Sequence, residues 1–366
     1  MLRRLWLLTA LCLALSVSAA QAQLAPTAEP ASVGLSDDRL ERVSDVMRPY
    51  VEENRVAGLM TMVYRRGEVA HFRTYGERDR QTGAPMTPNT LFRVYSMTKP
   101  ITTVAALMLY EEGHFRLDDP VAKYLPAFED VQVYDTTAAG APTRVPPRRP
   151  MTIQDLMRHT SGLTYGVFGD TPVDSMYQAA GVLRGDRTLA AAIDTLATLP
   201  LLHQPGTQWH YSVSTDVLGR LVEVVSGQSL DTFFRTRIFE PLGMDDTGFE
   251  VPADEMDRFA TNYAMGEDGE LVVRDRKGDS DFAAPVTFLS GGGGLVSTMD
   301  DYLRFARMLL NGGAVDGTRL LSPKTVDLMT QNHLDGTFEP GWGFGLGVQV
   351  ATDLPAASTL GSEGMY

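Results

Sequence analysis

The sequence predicts a mixed chain, in which a helix and a β-hairpin open an α/β layer and a mostly helical stretch follows. Two observations carry the first half. Apolar Leu40, Val43, Met47 and Val51 fall at helical spacing behind Ser36-Asp37-Asp38, which reads as a helix start. Two strand-like runs then follow, Leu59 to Tyr64 and Val69 to Tyr75, with Arg65-Arg66-Gly67 as the turn between them. The second half rests on the pattern after Asp118-Asp119-Pro120. Helices are expected over residues 187–198 and 214–225, from Ser229 through Phe239, and from Tyr302 to Leu310. Ser226-Gly227 closes the second of these.

The remaining stretches are punctuation. Residues 23–35, rich in Ala, Pro and Ser, read as a leader. Residues 136–150 are dense in Pro, Ala and Thr and are expected as a long surface loop, of the kind that often borders a site. Thr152-Ile153-Gln154-Asp155 resembles a capping box before a short helix that ends at His159-Thr160-Ser161-Gly162. His159 is expected as a satisfied structural histidine or a charge at a helix C-terminus rather than a catalyst. Trp342 to Val350 reads as one strand.

At 366 residues the chain has room for two domains or one large one. Its net charge is −14, with Asp and Glu spread along the chain, which argues against nucleic acid or an anionic membrane as a partner. Met1-Leu2-Arg3-Arg4, an apolar run from Leu5 to Val17, and Ala20-Gln21-Ala22 have the order of a cleaved export signal over residues 1–22. The run is short for a bilayer span, so no stable membrane insertion is expected after cleavage. The lone cysteine, Cys12, lies inside it. The expectation is an exported, soluble, periplasmic or secreted protein without disulfides.

The chemistry gathers at Tyr95-Ser96-Met97-Thr98-Lys99-Pro100, which runs into an apolar helix. Ser96 falls at the helix N-terminus, where free N–H groups favour a developing negative charge. Lys99 is one turn on and shares its face. A hydroxyl beside a desolvated amine can be a nucleophile beside its base. Alone, the spacing is a weak signal and reads first as a capping serine followed by a solvated lysine. However, only four lysines occur, and only Lys99 has a serine three residues before it.

Other hydrolytic solutions lack their motifs. No Gly-x-Ser-x-Gly elbow is present, and none of the six histidines lies in one. There is no His-Glu-x-x-His, and Gly291 to Gly294 is followed by no phosphate-binding lysine. No metal or cofactor is expected. The glycine run is expected to permit a close backbone approach near a cleft. A second element, Trp209-His210-Tyr211-Ser212-Val213-Ser214, precedes a helix. Tyr211 reads as a packed aromatic or, near an ammonium, as a base.

Together, Ser96-Met97-Thr98-Lys99 and Tyr211-Ser212 resemble the serine β-lactamase and penicillin-binding-protein superfamily, and within it class C β-lactamase-related hydrolases and family VIII carboxylesterases. Residues 156–163, 205–212 and 293–300 support the resemblance, which covers about residues 30 to 366. It implies an α+β fold: an antiparallel sheet flanked by helices, plus a mostly helical domain. The sheet domain would come from residues 23–95 and 335–366, and the helical one from 96–334. The resemblance also implies roles. Ser96 becomes the acyl-enzyme, Lys99 and Tyr211 serve as its base system, the Ser96 backbone N–H is half of the oxyanion hole, and Ser212 and Val213 contact substrate.

Two departures bear on substrate and completeness. The family's tyrosine motif ends in asparagine, whereas this chain has Val213, which favours an ester over a β-lactam. The third motif, on a C-terminal edge strand that supplies the other oxyanion donor, is not found before Tyr366. The chain is therefore expected to be truncated, without that strand, later strands and a closing helix. The leading expectation is a serine hydrolase of small esters or amides. Its rivals are a β-lactamase or D-amino-acid peptidase, and an inactive or binding-only product.

Overall fold

The computed structural model describes residues 26–136, 142–283 and 285–366. The expected export signal lies outside the described residues, as do residues 137–141 of the expected loop. The opening layer forms as predicted. Helix α1 (Asp37–Glu52) starts after Ser36 with Asp37 and Asp38 in its first turn, where negative charge complements the helix dipole. Strands β1 (Gly58–Arg65) and β2 (Glu68–Asp79) pair antiparallel. Their turn holds Arg66 at φ 53° and Gly67 at φ 91°, a left-handed pair that matches the twist of the flanking strands. Strand β3 (Ala84–Pro85) adds to β2. Part of the stretch read as a leader is pinned here, because the Thr27 amide donates to the Val69 carbonyl (2.9 Å).

Strand β4 (Phe92–Arg93) leads into helix α2 (Thr98–Glu111). Apart from Pro100, α2 is buried on every side from Thr98 to Leu109, so it sits inside the core rather than on it. Strands β5 (Val133–Asp135) and β6 (Thr143–Val145) pair as a short hairpin. The region expected as loop thus contains a strand. It packs toward Gln204, which accepts from the Arg148 amide (2.7 Å).

Helices α3 (Ile153–Met157), α4 (Pro172–Ala180), α5 (Leu189–Ala197) and α6 (Ser214–Ser226) follow. Thr152 and Asp155 form the predicted capping box on α3. Helix α6 packs along α2, and α3 and α5 pack against α6. The helix predicted from Ser229 is α7 (Leu230–Phe234), continued by a π-turn into α8 (Glu240–Leu242). The Ser229 hydroxyl donates to the Thr232 hydroxyl instead of capping the backbone.

Strands β7 (Asn262–Met265) and β8 (Leu271–Asp275) form a hairpin. Strand β9 (Val296–Ser297) pairs antiparallel with β4, and helix α9 (Met299–Leu310) follows it. Strands β10 (Ala314–Val315) and β11 (Thr318–Arg319) pair, and helix α10 (Pro323–Met329) comes next. The single strand expected from Trp342 to Val350 is instead two, β12 (Trp342–Phe344) and β13 (Gln349–Ala351), folded on each other. Gly347 (φ 77°) reverses the chain between them, a conformation that glycine adopts without a Cβ clash. The short helix α11 (Leu354–Ala357) comes last. No helix among the described residues is long and apolar enough to cross a membrane.

Candidate active site

Two long-range pairings build the site. Strand β4 pairs with β9, and the register continues in the Val94 amide, which donates to the Leu295 carbonyl (3.0 Å). This lays Tyr95 and Ser96 beside Gly291 to Gly294. The α2–α6 packing then brings Tyr211, just before α6, over the same point. Two backbone bonds steady the Tyr211 segment. The His210 amide donates to the His159 carbonyl (2.8 Å), and the Val213 amide to the Thr164 carbonyl (3.3 Å).

Three of the predicted side chains converge. Tyr211 donates its hydroxyl to Ser96 Oγ at 2.6 Å, and Lys99 Nζ donates to the same oxygen at 3.2 Å. Lys99 is 4% exposed. Its second acceptor is the Gly292 carbonyl, at 2.5 Å. The ammonium lies 4.6 Å from the Tyr211 ring centroid and 5.3 Å from that of Tyr165. Tyr165 stacks on Tyr211, with centroids 5.5 Å apart and planes at 14°. Burial, then the charges of Asp216 and Tyr211, push the Tyr165 phenol well above its ordinary value, so it stays neutral.

Ser96 lies in a 3-10 turn, Tyr95–Met97, that precedes α2. Tyr95 before it has φ 41°, a left-handed conformation that is strained for a bulky residue. The surroundings hold it there. Tyr95 Oη accepts from Asn262 Nδ2 (2.8 Å), and its ring meets Phe282 edge-on.

Ser212 and Val213 do not face the cleft. Both are 0% exposed. Ser212 Oγ bonds Ser214 Oγ (2.7 Å) and His159 Nδ1 (3.3 Å). Val213 begins α6 and joins the core. Neither offers a surface on which a substrate could rest, so the expectation that they touch it is corrected. The turn into α6 points them inward, and with that the substrate argument built on Val213 falls away.

His159 is the structural histidine of the two alternatives. It is buried at φ 56°, with its ring 4.9 Å from that of Tyr211. Burial, then the Lys99 charge, lower its pKa to about 3, so it is a neutral plate behind the tyrosine rather than a helix-end charge.

Two participants were not legible in the sequence. Asp216, in the first turn of α6, accepts from Ser290 Oγ (2.5 Å) and from the Gly292 amide (3.1 Å), both at Oδ1. Its Oδ2 finds no donor among the described residues. Asp216 thereby holds, through that amide, the residue whose carbonyl receives Lys99. Burial raises its carboxyl pKa, against the opposing pull of Ser290 and Lys99. The second is Gly292 itself. A Cβ there would lie 2.5 Å from Asp216 Oδ2, so a side chain would displace the carboxylate from its place. An acidic residue near a helix start reads in sequence as a dipole complement, and nothing in the glycine run names its partner.

A family model described as Beta-lactamase matches residues 43–366. The chain belongs to the beta-lactamase family. Protein Rv1367c of Mycobacterium tuberculosis (strain ATCC 25618 / H37Rv) is 41% identical over 322 residues, covering 85% of this chain and 79% of that protein. Esterase EstB of Burkholderia gladioli is 34% identical over 360 residues, covering 92% and 86%. Among solved structures, EstCE1, described as a hydrolase with promiscuous acyltransferase activity, superposes with a TM-score of 0.77 at 30% identity, covering 89% of this chain and 86% of that one. The fold is the β-lactamase/transpeptidase-like arrangement of mixed helices and sheets, and the protein is a serine hydrolase.

Proposed function

We propose that this beta-lactamase-family serine hydrolase is an exported esterase that cleaves neutral esters through an acyl-enzyme on Ser96. The single observation behind this reading is the convergence of Tyr211 Oη and Lys99 Nζ on Ser96 Oγ, at 2.6 and 3.2 Å. The esterase relative supplies the substrate class.

The steps follow from the geometry. The Ser96 proton passes to the Tyr211–Lys99 pair as Oγ attacks the ester carbonyl carbon. The pair enters this step one proton short, as phenolate beside ammonium or as phenol beside neutral amine, so the proton from Ser96 completes the phenol and ammonium. The carbonyl oxygen becomes an oxyanion beside the Ser96 amide, at the start of α2, where the helix dipole favours it. The tetrahedral carbon then loses its alkoxide, which takes the proton from Tyr211 and departs as alcohol. A water attacks the ester on Ser96, gives its proton to the same pair, and the carboxylic acid leaves as Ser96 recovers its hydrogen. If an alcohol takes the place of that water, the same steps give acyl transfer.

The test uses a p-nitrophenyl ester, a chromogenic cephalosporin, and a fluorophosphonate that esterifies an activated serine with loss of fluoride. Ester turnover and labelling are expected in the wild type and absent in Ser96→Ala. Equal ester turnover by both proteins sinks the reading. Cephalosporin turnover without ester turnover moves the assignment to a β-lactamase.

A further inference from the structure

We propose that the cavity on the Gly293 side of Ser96 receives an uncharged apolar acyl group, and that Gly293 sets how large that group can be. This deepens the esterase reading and rests on it. The cavity holds about 470 Å³, a volume suited to a small organic group. Its wall includes Tyr95, Tyr165, Leu183, Phe282, Phe288 and Gly293. Tyr95 adjoins Ser96 in the chain, and Tyr165 stacks on Tyr211, so two residues of the wall neighbour the catalytic pair.

Charge narrows the class. Among the described residues of the wall, Asp281 is the only carboxylate, and no lysine or arginine accompanies it. A carboxylate-bearing group would enter a low-dielectric space with a like charge and no partner. A neutral hydrocarbon or aryl chain meets mostly aromatic and aliphatic surface.

The glycine run shows what keeps the space open. A Cβ on Gly291 would come within 2.7 Å of the Thr215 carbonyl oxygen, on Gly292 within 2.5 Å of Asp216, and on Gly294 within 2.8 Å of the Ser290 carbonyl oxygen. Backbone packing demands glycine at 291 and 294, and at 292 a side chain would displace the Asp216 carboxylate. Gly293 differs. The nearest atoms to its Cβ would be Tyr95 backbone atoms at 3.7, 3.8 and 3.9 Å, which is ordinary contact. Its φ is not left-handed either. Neither backbone nor packing requires glycine at 293, and what a side chain there would take is cavity.

The acyl end is assigned by the proton. The departing alkoxide must lie within reach of the hydroxyl that protonates it, and that hydroxyl belongs to Tyr211. Tyr211 does not line this cavity, whereas Tyr95 and Gly293 do. The alcohol therefore leaves on the Tyr211 side, and the acyl chain occupies the other.

The experiment reads ratios of kcat/KM in two ester series. One series lengthens the acyl group from acetyl to octanoyl on a fixed p-nitrophenyl alcohol. The other enlarges the alcohol on a fixed acetyl group. Each methylene excluded from the cavity is worth roughly fourfold, so Gly293→Leu is expected to lower the octanoate-to-acetate ratio about tenfold or more. A drop of threefold or more, confined to the acyl series, supports the proposal. A smaller drop, or one confined to the alcohol series, overturns it. Gly293→Val is read in parallel in case the larger residue prevents folding, and fluorophosphonate labelling of Ser96 reports an intact site in each variant. Failure to label Ser96 in the wild type would instead remove the esterase reading, a result distinct from an unchanged ratio.

Discussion

Two aspartates lie equally deep in this protein and are treated in opposite ways. Asp155 is 0% exposed and Asp216 is 1% exposed. Around Asp155 every oxygen is matched. Arg149 spans both oxygens at 2.6 and 2.9 Å, Arg158 adds a bond at 3.1 Å, and Thr160 and Thr152 donate at 2.8 Å each. Burial pushes this carboxyl up, but the bonds from Arg149, Thr152 and Thr160 outweigh it and hold it below the ordinary range. Around Asp216, among the described residues, only one oxygen is satisfied and no arginine bonds it, and the net push is upward. The first region ties the turn 158–160 to α3. The second spends stability to hold the Gly292 peptide against Lys99. A fully compensated buried charge marks architecture, whereas a half-compensated one beside a nucleophile marks a working site.

That contrast can be broken or sharpened by substitution. The largest effect is expected at the site itself. Tyr211→Phe keeps the ring that stacks on Tyr165 and loses the hydroxyl on Ser96, so ester turnover should fall about 10²–10⁴-fold with little change in melting temperature. Retention of turnover would remove Tyr211 from the chemistry.

The next effect lies in the other region and has the opposite signature. Asp155→Ala leaves two guanidinium groups without their carboxylate. Removing one partner of a buried pair costs about 3–5 kcal/mol. The side chains of Arg149 and Arg158 are 40% and 20% exposed, so solvent screening reduces this to about 2–3 kcal/mol. Denaturation should reveal that loss, while kcat of the folded fraction changes little. A selective loss of kcat at full stability would erase the distinction between the two aspartates.

The smallest and most diagnostic effect is at Asp216. Asp216→Asn keeps an acceptor for Ser290 and Gly292 and removes the charge that faces Lys99. Turnover should fall roughly tenfold, about 1.4 kcal/mol of barrier. Stability should move the other way. A carboxyl raised above its usual 3.8 favours folding below that value and loses this contribution as pH rises through the folded-state pKa. Asparagine has no such loss. The melting temperature of Asp216→Asn relative to wild type should therefore rise with pH, which thermal scans across the acid to neutral range will read. A gap that narrows with pH would mean that the Asp216 charge is compensated after all.

The sequence by itself determined what depends on short periodicities. The 3.6-residue repeat placed α1, α2, α5, α6 and α9, the turn residues placed the β1–β2 hairpin, and Thr152 and Asp155 capped α3. The Ser96–Lys99 spacing followed because one helical turn fixes both ends locally. The sequence also misled at Trp342 to Val350, which reads as one strand but is reversed at Gly347. Only the tertiary structure decided which way Val213 points, because the segment before α6 has no period from which to read a face. It also decided that Gly292 receives Lys99 from 193 residues away, that Asp216 holds Gly292, and that Gly293, unlike its neighbours in the run, has room for a Cβ. These are meetings between distant strands and helices, set by how β4 finds β9 and α2 finds α6, and no local pattern encodes the distance between them.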